Sequence, residues 1–118
     1  MVDMVAPKVI GHYLLDREID QLTFWSRSKS LWLRRIAIMA TWPRIKQLQF
    51  QSTLDLARLY IHDDEDLIHK ATGWMLREIG KRDPQVLFDF IQNHPPMPRV
   101  MRRYALEKFP AEIRARFK

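Results

Sequence analysis

The stretch LIHKATGWMLREIGKRD, residues 67–83, decides the reading of the fold, because its apolar side chains recur at helical and not at strand spacing. On a wheel of about 100° per residue, Ile68, Thr72, Met75, Leu76 and Ile79 share one broad face, with Leu67, Ala71 and Glu78 at its edge. Lys70, Trp74, Arg77 and Lys81 fall on one line, at spacings of four, three and four. Trp74 therefore stands between an apolar face and a cationic stripe. Two readings follow: a rim tryptophan shielding the core among solvated cations, or a groove whose cations meet phosphates while the indole meets a sugar or base.

Working outward, the chain aligns with itself at an offset of 34 residues. Leu33, Leu67 and Met101 match, as do Ala37, Ala71 and Ala105, and earlier in each unit Leu22, Leu56 and Phe90. Arg35, His69 and Arg103 occupy the polar position between the second-helix anchors. Helix signals agree with the period. Ser30 can cap a helix to about Trp42, where Pro43 ends the pattern, and Ser52 precedes TLDLARLYI. Asp63 to Asp66 put negative charge at the next helix start, and Asp83-Pro84 reads as N-cap and first helical position. HPPMP is a break; Pro98 and Pro110 then open RVMRRYALEKF and AEIRARF. The expectation is an all-α fold, one domain over residues 1–118, in which antiparallel helix pairs stack as an α-solenoid of HEAT-like repeats with a period of about 34. The apolar opening segment MVAPKVIGHYLL reads as the second member of a pair whose first member lies outside the chain, so a C-terminal part of a longer fold is expected.

Composition bounds the function. Hydrophobic residues make up 47% and charged residues 29% of 118, which is globular rather than disordered composition. The absence of cysteine excludes disulfides and thiolate metal sites. Twenty Lys+Arg against 14 Asp+Glu give a net charge of +6, which favours polyanionic partners, nucleic acid before acidic membranes. No apolar run is long enough to span a membrane and the N-terminus lacks a basic signal-peptide region, so a soluble cytoplasmic protein is expected. No glycine-rich phosphate loop, HExxH or GxSxG occurs, and the four histidines have no ligand spacing, so neither metal nor cofactor is expected. In SLWLRRIAIMA, one of the adjacent Arg34 and Arg35 should point away from the core; at an inner surface it would bind phosphate, and otherwise it is solvated or paired with an acid such as Asp16 or Glu18. Residues 98–118 form a second basic region. Asp3, ahead of the apolar first segment, is either an N-cap or a functional carboxylate.

The segments VDMVAPKVIGHYLLDR, SLWLRRIAIMATW, DLIHKATGWMLREIGKRDPQVLFDFI and MPRVMRRYALEKFP resemble the AlkD-like DNA alkylation repair family, DNA glycosylases of HEAT-like repeats, in the order and spacing of its C-terminal half. KATGWMLREIGKR, residues 70–82, is the most specific element. The resemblance implies excision of positively charged alkylated bases, 3-methyladenine and 7-methylguanine, from double-stranded DNA. It implies that Asp3 is the catalytic aspartate closing a W-D-x-V-D motif, whose tryptophan would precede Met1. It further implies that Trp74 packs on the DNA backbone beside the lesion and that Arg35 contacts a phosphate there, with Lys70, Arg77 and Lys81 continuing the DNA-binding stripe. With the family's N-terminal half absent from the chain, the alternative is a non-catalytic DNA-binding or protein-binding helical module.

Overall fold

The computed structural model describes residues 28–94 and 96–117. Among them the structure is helical throughout, without strands. Asp3, Leu22 and the opening apolar segment lie outside the described residues. Among the described residues seven helices follow in order: α1 (Leu31–Met39), α2 (Trp42–Lys46), α3 (Gln51–Tyr60), α4 (Asp66–Arg82), α5 (Pro84–Gln92), α6 (Arg99–Ala105) and α7 (Ala111–Arg116).

Local chemistry sets these boundaries. Ser30 caps α1, its hydroxyl accepting from the Leu33 amide at 3.4 Å. The helix ends at Met39 instead of reaching Trp42: Thr41 Oγ1 donates to the Ile38 carbonyl at 2.7 Å, and the chain turns into the separate short helix α2. Pro43, expected to stop the first helix, sits instead in the first turn of α2, where its missing N–H costs no hydrogen bond. Helix α3 begins at Gln51, so Ser52 lies inside its first turn and is not its cap. Asp83 closes α4 and caps α5, its carboxylate accepting from the Val86 amide at 3.4 Å. Pro84 enforces that break, because the residue before a proline is driven out of helical geometry. Helix α6 stops at Ala105, short of the Phe109 its sequence pattern suggests.

Helix α4 is the hub of the molecule, packing against α1, α3, α5 and α6. Its core face is the one its periodicity marks: Ile68, Met75, Leu76 and Ile79 are fully buried, with Thr72 beside them. The closest approach is to α6, and it depends on a glycine. A Cβ at Gly73 would lie 2.5 Å from the Met101 carbonyl oxygen and 2.7 Å from Tyr104 Cβ, so only hydrogen fits there. Of the repeat positions, Ala37, Ala71 and Ala105 are all buried on α1, α4 and α6. Their neighbours diverge. Met101 is buried while Leu67 is exposed, and His69 is buried while Arg103 is exposed.

Candidate nucleic-acid interface

Arg34 and Arg35 separate as their adjacency on a helix requires. Arg34 turns to the start of α4, where its Nε lies 2.9 Å from an Asp63 carboxylate oxygen, both side chains being largely buried. Its NH1 also donates to the Ser28 and Lys29 carbonyls at 3.1 and 3.0 Å. The Tyr60 hydroxyl donates to the Arg34 carbonyl at 3.0 Å, and burial pushes that phenol well above the ordinary tyrosine range. These bonds fix α1 against the α3–α4 junction and leave Arg35 on the other side, facing a groove.

That groove, of about 270 Å³, is lined by Arg35 from α1, by Leu67, Lys70, Ala71, Trp74 and Arg77 from α4, and by Tyr104 from α6. Four of the residues singled out in the sequence thus come together on one surface. Trp74 keeps the border position its periodicity gives: it is half-buried against the hydrophobic core, and its remaining surface lines the groove. Arg77 is 18% exposed and its NH1 lies 2.5 Å from Glu107 on the turn after α6. The pair ties the groove wall of α4 to the α6 end. Lys81, next on the same line, is not among the lining residues; its half-exposed ammonium pairs with the buried Glu78 at 3.0 Å.

Sequence reasoning missed Tyr104. The signal that could have found it is Gly73, one residue before Trp74, because a glycine inside a strongly periodic helix marks close approach by another element. Leu67 and Ala71, assigned to the edge of the core face, also form part of the groove floor. His69 is structural: it is buried, and its Nε2–H donates to the Asp63 carbonyl at 2.6 Å. Among the described residues no group of three or more histidines or carboxylates is placed to hold a metal ion, and no helix is long and apolar enough to cross a membrane.

The arrangement can hold an anionic strand against flat apolar surface. Arg35, Lys70 and Arg77 supply positive charge around an indole and a phenol, and the Leu67 and Ala71 side chains make the floor apolar. Guanidinium groups match phosphate oxygens in bidentate fashion, and indole faces suit sugars and cationic rings. Comparison with curated proteins gives no match. A family model described as DNA alkylation repair enzyme matches residues 1–109. With all but the last residues of the chain matched, and the basic aromatic groove inside the matched region, the protein belongs to the DNA alkylation repair enzyme family.

Proposed function

We propose that the chain binds double-stranded DNA along the Trp74 groove and excises positively charged alkylated bases, 3-methyladenine and 7-methylguanine, as a DNA glycosylase. The observation that carries the reading is the convergence of Arg35, Lys70, Trp74 and Arg77 from two helices on one groove, within a chain of a DNA repair family. Arg35 and Lys70 hold backbone phosphates, Trp74 packs against the deoxyribose beside the lesion, Arg77 approaches the same strand, and Lys81 is an outlying phosphate contact. The repeat reading belongs to the same proposal. The equivalent burial of Ala37, Ala71 and Ala105 on successive packed helices supports an α-solenoid of HEAT-like units, with DNA along its inner surface.

Asp3 is the proposed catalytic residue. An alkylated purine cation is already activated as a leaving group. The C1′–N bond breaks with its electron pair passing to the base, which departs neutral, and positive charge develops on the deoxyribose. Water adds to C1′ and loses a proton, leaving an abasic sugar. A carboxylate beside that charge lowers the barrier electrostatically and orients the water.

The test is release of 7-methylguanine from methylated duplex DNA, with binding to the same duplex followed in parallel. Release by the wild-type chain, lost in Asp3→Asn with binding retained, supports the assignment. Undiminished release by Asp3→Asn removes the role of Asp3. Binding without release by the wild-type chain makes it a non-catalytic DNA-binding module, and absence of both overturns the reading.

A further inference from the structure

A second cleft, of about 640 Å³, opens between α6 and α7, and its lining includes Arg99, Arg102, Arg103 and Arg114. We propose that this cleft grips the sugar–phosphate backbone of duplex DNA as a second contact, across α6 from the Trp74 groove. The inference rests on the DNA-binding reading and extends it to residues outside the groove.

The cleft is built, not a loose end. On α6 and its C-cap Leu106, at about 100° per residue, Arg99, Arg102, Arg103 and Leu106 share one face, while Met101 and Ala105 on the opposite side are fully buried. Helix α7 is held opposite them by stacked rings. Phe117 lies 5.4 Å from Phe88 of α5, with the ring planes 25° apart, and Phe88 lies 5.0 Å from Phe109. This packing sets Arg114 across from the α6 arginines, above a floor containing Leu106.

None of the four guanidinium groups forms an ion pair or hydrogen bond with a described residue, in contrast to those of Arg34, Arg58, Arg77 and Arg82. Of the two carboxylates in this region, Glu107 is already engaged by Arg77. Four like charges facing one cleft repel one another, and an anion with several oxygens relieves that repulsion. Phosphate fits best because guanidinium forks bind it bidentately. An acidic membrane fits less well: Leu106 is buried and Phe117 is occupied by its stack, so neither apolar side chain is free to insert into lipid. The cleft also adjoins the groove. The Arg103 guanidinium lies 5.7 Å from the ring centre of Tyr104, which lines the groove, so one backbone can pass from one site to the other.

The test is the salt dependence of binding to a short unmodified DNA duplex by the full chain, compared with Arg99→Gln/Arg103→Gln, Arg114→Gln and Trp74→Ala. Each phosphate contact contributes roughly 0.9 to the slope of log K against log salt, so the double variant is expected to flatten the slope by about 2 and Arg114→Gln by about 1. Arg99→Lys/Arg103→Lys, which keeps the charge, should retain most of the slope, and helicity by circular dichroism confirms folding of every variant. An unchanged slope in both glutamine variants, with Trp74→Ala still weakening binding, overturns the cleft and leaves the groove standing. Wild-type protein that ignores DNA overturns both. Phosphatidylserine vesicles that bind wild type but not the double variant, with the DNA slope unchanged, replace DNA by a membrane and overturn the proposal. Flattened slopes in a chain that releases no base keep the cleft and remove only the glycosylase activity.

Discussion

On one side of α6, Arg77 is held by Glu107 at 2.5 Å beside the half-buried Trp74. On the other, Arg99, Arg102, Arg103 and Arg114 face a cleft with no carboxylate partner among the described residues. The two surfaces share a helix and a charge sign, yet they are built differently. The aromatic wall of the groove is packed on the core, and one of its cations is oriented by an ion pair. That suits positioning a particular sugar, where small displacements are costly. The cleft stores uncompensated charge, which contributes affinity and attraction at a distance but little orientation.

The strongest way to break the comparison is to remove the frame behind the groove. Asp63→Ala leaves Arg34 largely buried without its partner, and should cost about 3 kcal/mol by urea denaturation. Binding through Arg35 should fall with it, while the cleft slope stays. Next is Gly73→Ala, which puts a methyl group against the Met101 carbonyl and forces α6 away from α4. A net loss of about 2 kcal/mol is expected despite the better helix propensity of alanine. Gly80→Ala is the control: its new Cβ meets the end of the Leu87 side chain, which can move, so its stability should change by less than about 1 kcal/mol. Equal losses at the two glycines would contradict a special close approach at Gly73.

A smaller effect sharpens the contrast in charge. Glu107→Gln frees Arg77, and because Glu107 is half exposed the stability loss should stay under about 1 kcal/mol. DNA affinity at low salt should rise about threefold as one negative charge leaves the groove edge. Unchanged affinity would mean that Arg77 acts only as a brace. The smallest effect appears at high pH. Burial raises the Tyr60 pKa, so the folded state keeps its proton where the unfolded chain begins to lose it. The resulting stability is complete below pH about 10 and is lost as the pH rises further. Tyr60→Phe should weaken that alkaline decline in chemical denaturation.

Much of this was legible in the sequence, for reasons that differ by residue. The core face of α4 follows from periodicity, since one helix buries one stripe whatever it packs against. Asp83-Pro84 marks its boundary because proline acts through local sterics. The border position of Trp74 and its alignment with Lys70 and Arg77 were likewise fixed by helical geometry. Other features depended on neighbours distant in sequence. Lys81 continues the line on the wheel but lies beyond the groove, because Glu78 beside it supplies a partner and the groove ends with the α6 contact.

By itself the sequence determined that the chain is helical, basic and divided at its prolines. It also determined which stripe of α4 could bear cations. Only the tertiary structure decided which surface each cation faces. Arg34 and Arg35 are chemically identical neighbours, and one is locked to Asp63 while the other lines the groove. Arg77 and Arg103 are likewise indistinguishable as letters, until the packing of α6 at Gly73 brings Glu107 to the first and none to the second. Helical periodicity is a property of a single segment, whereas the partner of a charge is set by the distance between segments.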